Sequence, residues 1–144
     1  MKTVMMAAVV ALLATPAMAQ DPSTSPDATV LPGATLAPDC GNLYGLAGRA
    51  FCVSAPLAGI GALAETYIAD LQTRGWIPAG GEDNRVVFVR RRATGGCDGQ
   101  QMLAFYDTSR PVGPDAIGYL GFGSIPGNVC ADQPAAAATP VPAQ

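Results

Sequence analysis

Leu57, Ile60, Leu63, Ala64, Tyr67, Ile68 and Leu71 recur at steps of three and four along the middle of the chain. That spacing lays one apolar stripe along a helix and predicts an amphipathic helix there. Ser54 offers an N-cap, and Pro56 suits a first turn, where a missing N–H goes unmissed. Asp70 and Arg74 are four apart and can pair on the wet side. Gly75 supplies a left-handed residue after the last turn, and Trp76 can then fold back on Leu71.

Beyond the helix the pattern becomes β-branched and aromatic. Arg85 to Arg92 reads as a strand, preceded by a Gly80-Gly81 turn. Gln101 to Asp107 follows through a long hairpin loop over residues 94–99, and Ala116 to Phe122 follows the Pro111 and Pro114 break. Arg49 to Val53 predicts a short strand ahead of the helix. The order β-α-β-β-β predicts an α+β fold, one amphipathic helix packed on a small antiparallel sheet of three to four strands. Alternation places Met102, Ala104 and Tyr106 on one face of their strand, with Leu103 and Phe105 on the other.

The ends read differently. Lys2, the 11 apolar residues Val4 to Ala14, the Pro16 break and Ala17-Met18-Ala19 have the layout of a secretory signal peptide over residues 1–19. Its apolar stretch is too short to span a bilayer as a helix. Residues 20–39 and 131–144 are rich in Pro, Ala, Thr and Asp without apolar periodicity, and predict a flexible linker and a disordered tail. The folded unit is expected over residues 40–130, bounded by the outer cysteines.

Export changes how the four cysteines are read. In an oxidising compartment, Cys40, Cys52, Cys97 and Cys130 predict two disulfides. No C-x-x-C pair is present, which argues against a zinc site or a thioredoxin-like redox centre. Loop-closure entropy favours Cys40–Cys52 with Cys97–Cys130, while crossed and nested patterns stay open. Without the leader, 7 arginines stand against 11 acidic residues, so general attraction to nucleic acid or anionic lipid is not expected. No apolar stretch after the leader is long enough for a transmembrane helix. Histidine is absent, which removes Ser-His-Asp and Cys-His catalysis and imidazole metal sites. No metal or other cofactor is expected.

Candidate chemistry is sparse. Arg90 and Arg92 point to one strand face and Arg91 to the other; guanidiniums there could hold an anion, or could simply protect a strand end from edge pairing. The glycines of residues 118–127 resemble a phosphate loop, but no G-K-[ST] ending follows, and a bulge or close backbone approach in an edge strand is the plainer reading. Glu65, Glu82, Asp83, Asp98, Asp107 and Asp115 could support a two-carboxylate hydrolase if a pair met in a cleft. Trp76, Tyr106, Tyr119 and Phe122 could line a ligand or partner groove, since a sheet apolar on both faces needs cover on the side away from the helix. The expectation is a non-enzymatic periplasmic or secreted interaction module, acting on another exported or envelope protein, for instance as an enzyme inhibitor. The contact is expected around Tyr106, Tyr119 and Phe122, oriented by Arg90 to Arg92.

Overall fold

The computed structural model describes residues 26–130. The expected signal peptide, the first residues of the expected linker and the expected tail lie outside them. Helix α1 (Ile60–Thr73) buries Ile60, Leu63, Tyr67 and Leu71, the predicted stripe. Its end is the predicted one. Trp76 N–H donates to Leu71 C=O and Gly75 N–H to Gln72 C=O, with Gly75 at φ +82°. These are the two bonds of a Schellman stop, and Trp76 and Leu71 share the core. The start is not as predicted. Ser54 lies in a strand, and a 3-10 turn, Leu57–Gly59, leads into the helix without a side-chain cap.

The sheet has six antiparallel strands rather than three to four: β1 (Thr35–Leu36), β2 (Phe51–Pro56), β3 (Ile77–Glu82), β4 (Arg85–Arg91), β5 (Cys97–Tyr106) and β6 (Ile117–Ile125). Their spatial order is β1-β2-β6-β5-β4-β3. The two strands missed by pattern reading are the edges. β1 is only two residues long, and β3 has the sequence IPAGGE, which reads as a turn. Edge strands tolerate Pro and Gly because one side makes no ladder, and β3 carries a bulge between Pro78 and Gly80. The turn into β4 falls instead at Asp83-Asn84. Likewise Cys97, Asp98 and Gly99 belong to β5, so the loop before them is shorter than expected.

α1 carries the chain from β2 across the sheet to β3, and the meander β3-β4-β5-β6 then returns to pair with β2. The helix-side core joins the α1 stripe to Val53, Trp76, Phe88, Met102, Leu120 and Phe122. Gly118 makes the close approach possible, since a Cβ there would lie 2.4 Å from Ile60 Cγ1. β6 is therefore a central strand, not the edge strand suggested by its glycines, but close approach is the role of Gly118 and Gly121.

The opposite sheet face is covered by the chain itself at both ends. Residues 37–50 fold over Cys52, Phe105 and Tyr119, held by the Cys40–Cys52 disulfide, and this forms a second small core. At the other end Cys130 bonds Cys97, and Val129 lies against Gly99. Both pairings follow sequence proximity. The expected linker is also partly structured. Thr35 and Leu36 pair with Ser54 and Val53, while Ala28, Leu31 and Ala34 pack on the helix-side core.

Candidate functional site

The residues proposed from sequence do not converge on one surface. Trp76 and Phe122 are buried in the helix-side core. Tyr106 shares that sheet face in register, opposite Gly118, but is exposed at its rim. Tyr119 points to the other face and stacks on Phe105, with ring centroids 5.3 Å apart. Arg90 and Arg92 sit beside Asp98 near the start of β5, whereas Tyr106 ends it, eight residues on. At about 3.4 Å per residue that separation is roughly 27 Å. The arginines therefore cannot orient a ligand held between the tyrosines.

At the Cys97 end, Arg74, Arg90 and Arg92 pair with carboxylates of the same chain. The Asp27 carboxylate accepts from Arg90 Nη1 at 2.9 Å, from Trp76 Nε1 at 3.0 Å and from Arg74 Nη1. Arg74 also meets Asp70, the predicted i,i+4 pair. Arg92 Nε donates to Asp98 at 2.6 Å and its Nη2 to Gly127 C=O at 2.7 Å. Arg90 lies over the Trp76 ring, 4.3 Å from its centroid. Burial pushes the Asp27 carboxyl up, but the indole N–H and the two guanidiniums outweigh it and hold the group below its ordinary value. The arginines thus hold the chain's own carboxylates as their anions. Asp27 could not be found by pattern, because its surroundings have the composition of a linker.

At the Tyr106 end lies an open groove of about 480 Å³. It is lined by Tyr106 and Tyr119 at the strand ends, by Gly41 and Leu43, and by the β5–β6 loop from Asp107 to Ala116. Gly41, at φ +65°, lies so close under Tyr119 that a Cβ would come 2.6 Å from ring Cζ. Tyr44 adds to the rim: its hydroxyl donates to Tyr106 C=O at 3.3 Å and its ring meets Phe105 edge-on. Val112 and Ile117 are also exposed here. Polar chemistry comes from Asp107, Arg110 and Asp115. The Ser109 hydroxyl and N–H donate to Asp107, and Arg110 lies 3.2 Å away, so this carboxyl is held below its usual range.

Sequence reasoning named Tyr106 and Tyr119 but missed Gly41, Leu43, Tyr44 and Val112, which come from two loops remote in sequence, and Ile117, the first residue of β6. Among the described residues no group of three or more Cys, Asp or Glu side chains is arranged to hold a metal ion, and no helix is long and apolar enough to cross a membrane. No family model matches this chain, and no curated protein or solved structure matches it either.

Proposed function

We propose that this chain is a small exported, non-enzymatic interaction module, which docks a segment of another exported or envelope protein in the groove between Tyr106 and Tyr119. One observation carries the reading. Of seven large apolar or aromatic side chains exposed among the described residues, four (Tyr44, Tyr106, Val112 and Ile117) gather at this one end. Apolar side chains scattered singly need no explanation, whereas a cluster around a concavity marks a contact surface. The paired Asp107 and Arg110 provide a polar rim, and the aromatic rings supply large contact area at low entropic cost. Two disulfides suit an oxidising compartment, in keeping with export.

A photo-crosslinking side chain at position 112 tests the reading, with position 77 on the exposed β3 edge as control. The expected result is one stoichiometric adduct from position 112, lost when Tyr119 is changed to Ala. Equal labelling from both positions would remove the groove from consideration. A carboxylate-dependent hydrolase would draw on Asp107 and Asp115, which both line the groove. It requires turnover that Asp107→Asn or Asp115→Asn abolishes in a folded chain.

A further inference from the structure

The arm over residues 27–31 is held almost wholly by side chains of the rest of the domain. Besides the three donors to its carboxylate, Asp27 gives its N–H to Gln100 Oε1 at 2.9 Å. The Tyr67 hydroxyl, whose residue is fully buried, donates to Thr29 C=O at 2.7 Å and accepts from Leu31 N–H at 3.1 Å. Ala28 and Leu31 pack on the core, while Thr29 and Val30 are exposed. No ladder hydrogen bond joins this stretch to the sheet; strand pairing starts only at Thr35. A turn closes the arm, with Ala34 N–H donating to Leu31 C=O and Gly33 at φ +87°.

Side-chain clamps on a backbone that makes no ladder bonds, with one charged seat and one apolar seat, are how a groove reads a peptide. The seat is also larger than its occupant. A cavity of about 90 Å³ adjoins Asp27, lined by Trp76, Arg90, Arg92, Gln100 and Ser124 among others. Gln100 is 1 % exposed, and its Nε2 has no hydrogen-bond partner among the described residues. A buried amide donor beside such a cavity favours an added acceptor group.

We propose that this seam between α1 and the sheet is a binding groove for a peptide segment of an exported partner, with an acidic residue followed by a small one and, four positions after the acid, an aliphatic one. Residues 27–31 are the copy of that ligand held in cis. This site is separate from the groove at Tyr106. A tethered arm acts at an effective concentration near millimolar, so a peptide in trans gains access when the arm is weakened.

The test uses a fluorescein-labelled peptide with the sequence of residues 26–34, titrated onto the full chain and followed by anisotropy and by Trp76 emission. The chain with Asp27→Asn should bind it about five-fold more tightly than the unaltered chain, and adding Arg90→Ala should remove at least that gain. Leu31→Ala, which loosens the arm at its apolar seat, should also open the groove to the peptide. Failure of both single variants, cooperatively folded, to bind the peptide would overturn the proposal. So would equal binding by the Asp27→Asn chain and the Asp27→Asn, Arg90→Ala chain, which places the peptide elsewhere. Exchange of arms between copies, seen as a dimer of the unaltered chain, would assign the groove to a second copy and overturn it too.

Discussion

At the Cys97 end of β5, arginines and aspartates meet under a tryptophan and neutralise one another; at the Tyr106 end, aromatic rings and two loops leave an open groove. Both ends combine aromatic and charged side chains. What differs is what stands over them. Arg74 and Arg90 are met by Asp27 of the same chain, while nothing in the described residues lies across Val112 and Ile117. A cluster of charge in a sequence is thus a weak pointer to a ligand when carboxylates elsewhere in the chain can reach it. An aromatic cluster that stays exposed after folding points more directly to a partner.

The sharpest contrast is between two aromatics of β6. Phe122 is fully buried, so Phe122→Ala should destabilise the fold by about 3–5 kcal/mol in denaturant melts. Tyr119→Ala should lose crosslinking at position 112 with a smaller loss of stability, since part of its ring faces the groove. Equal destabilisation by both would show Tyr119 to be a core residue only.

The disulfides come next in size. Cys97–Cys130 spans 33 residues and Cys40–Cys52 spans 12. In the chain-entropy model their removal by Cys→Ser pairs costs about 4 and about 3 kcal/mol. Loss of Cys40–Cys52 should also open the groove wall at Gly41 and Leu43, weakening partner capture, whereas loss of Cys97–Cys130 should leave capture intact.

Asp27→Asn should cost about 1 kcal/mol, because its ion pairs are about a third exposed and solvent weakens them. The folded carboxyl lies below its unfolded value of 3.8, so its contribution is complete above that pH and fades as the pH falls through the folded value. Trp76 emission should therefore change with acid below about pH 4 in the unaltered chain. The Asp27→Asn chain should lack that step.

The smallest stability effect is expected at Val112. Val112→Ser should stay within about 0.5 kcal/mol of the unaltered chain while reducing capture at the groove. A pronounced stability loss would show that the β5–β6 loop holds the fold together.

The sequence made the helix, its Schellman stop and the four inner strands legible, because each carries a strong local period or a Gly with one conformational purpose. β3 was illegible for a physical reason: its proline and glycines are what an edge strand permits and what a turn prefers. The docked arm was illegible because its stability comes from residues 36 to 73 positions away, such as Tyr67 and Gln100, rather than from its own composition. The groove was half legible. Tyr106 and Tyr119 announce themselves on strands, but the separation of Tyr119 from Phe122 depends on strand parity, and that of both tyrosines from the arginines on strand length. The wall glycine Gly41 gives no signal beyond its neighbouring cysteine.

The Cys97–Cys130 link joins the beginning of β5 to the residues just after β6, and the groove loop lies between them. A peptide bond cut anywhere from Asp107 to Ala116 would leave two fragments still covalently joined, with β5 and β6 paired along eight residue positions. This loop is consequently where new chain ends could be introduced by circular permutation, or where a host protease could nick the molecule, without scattering its halves.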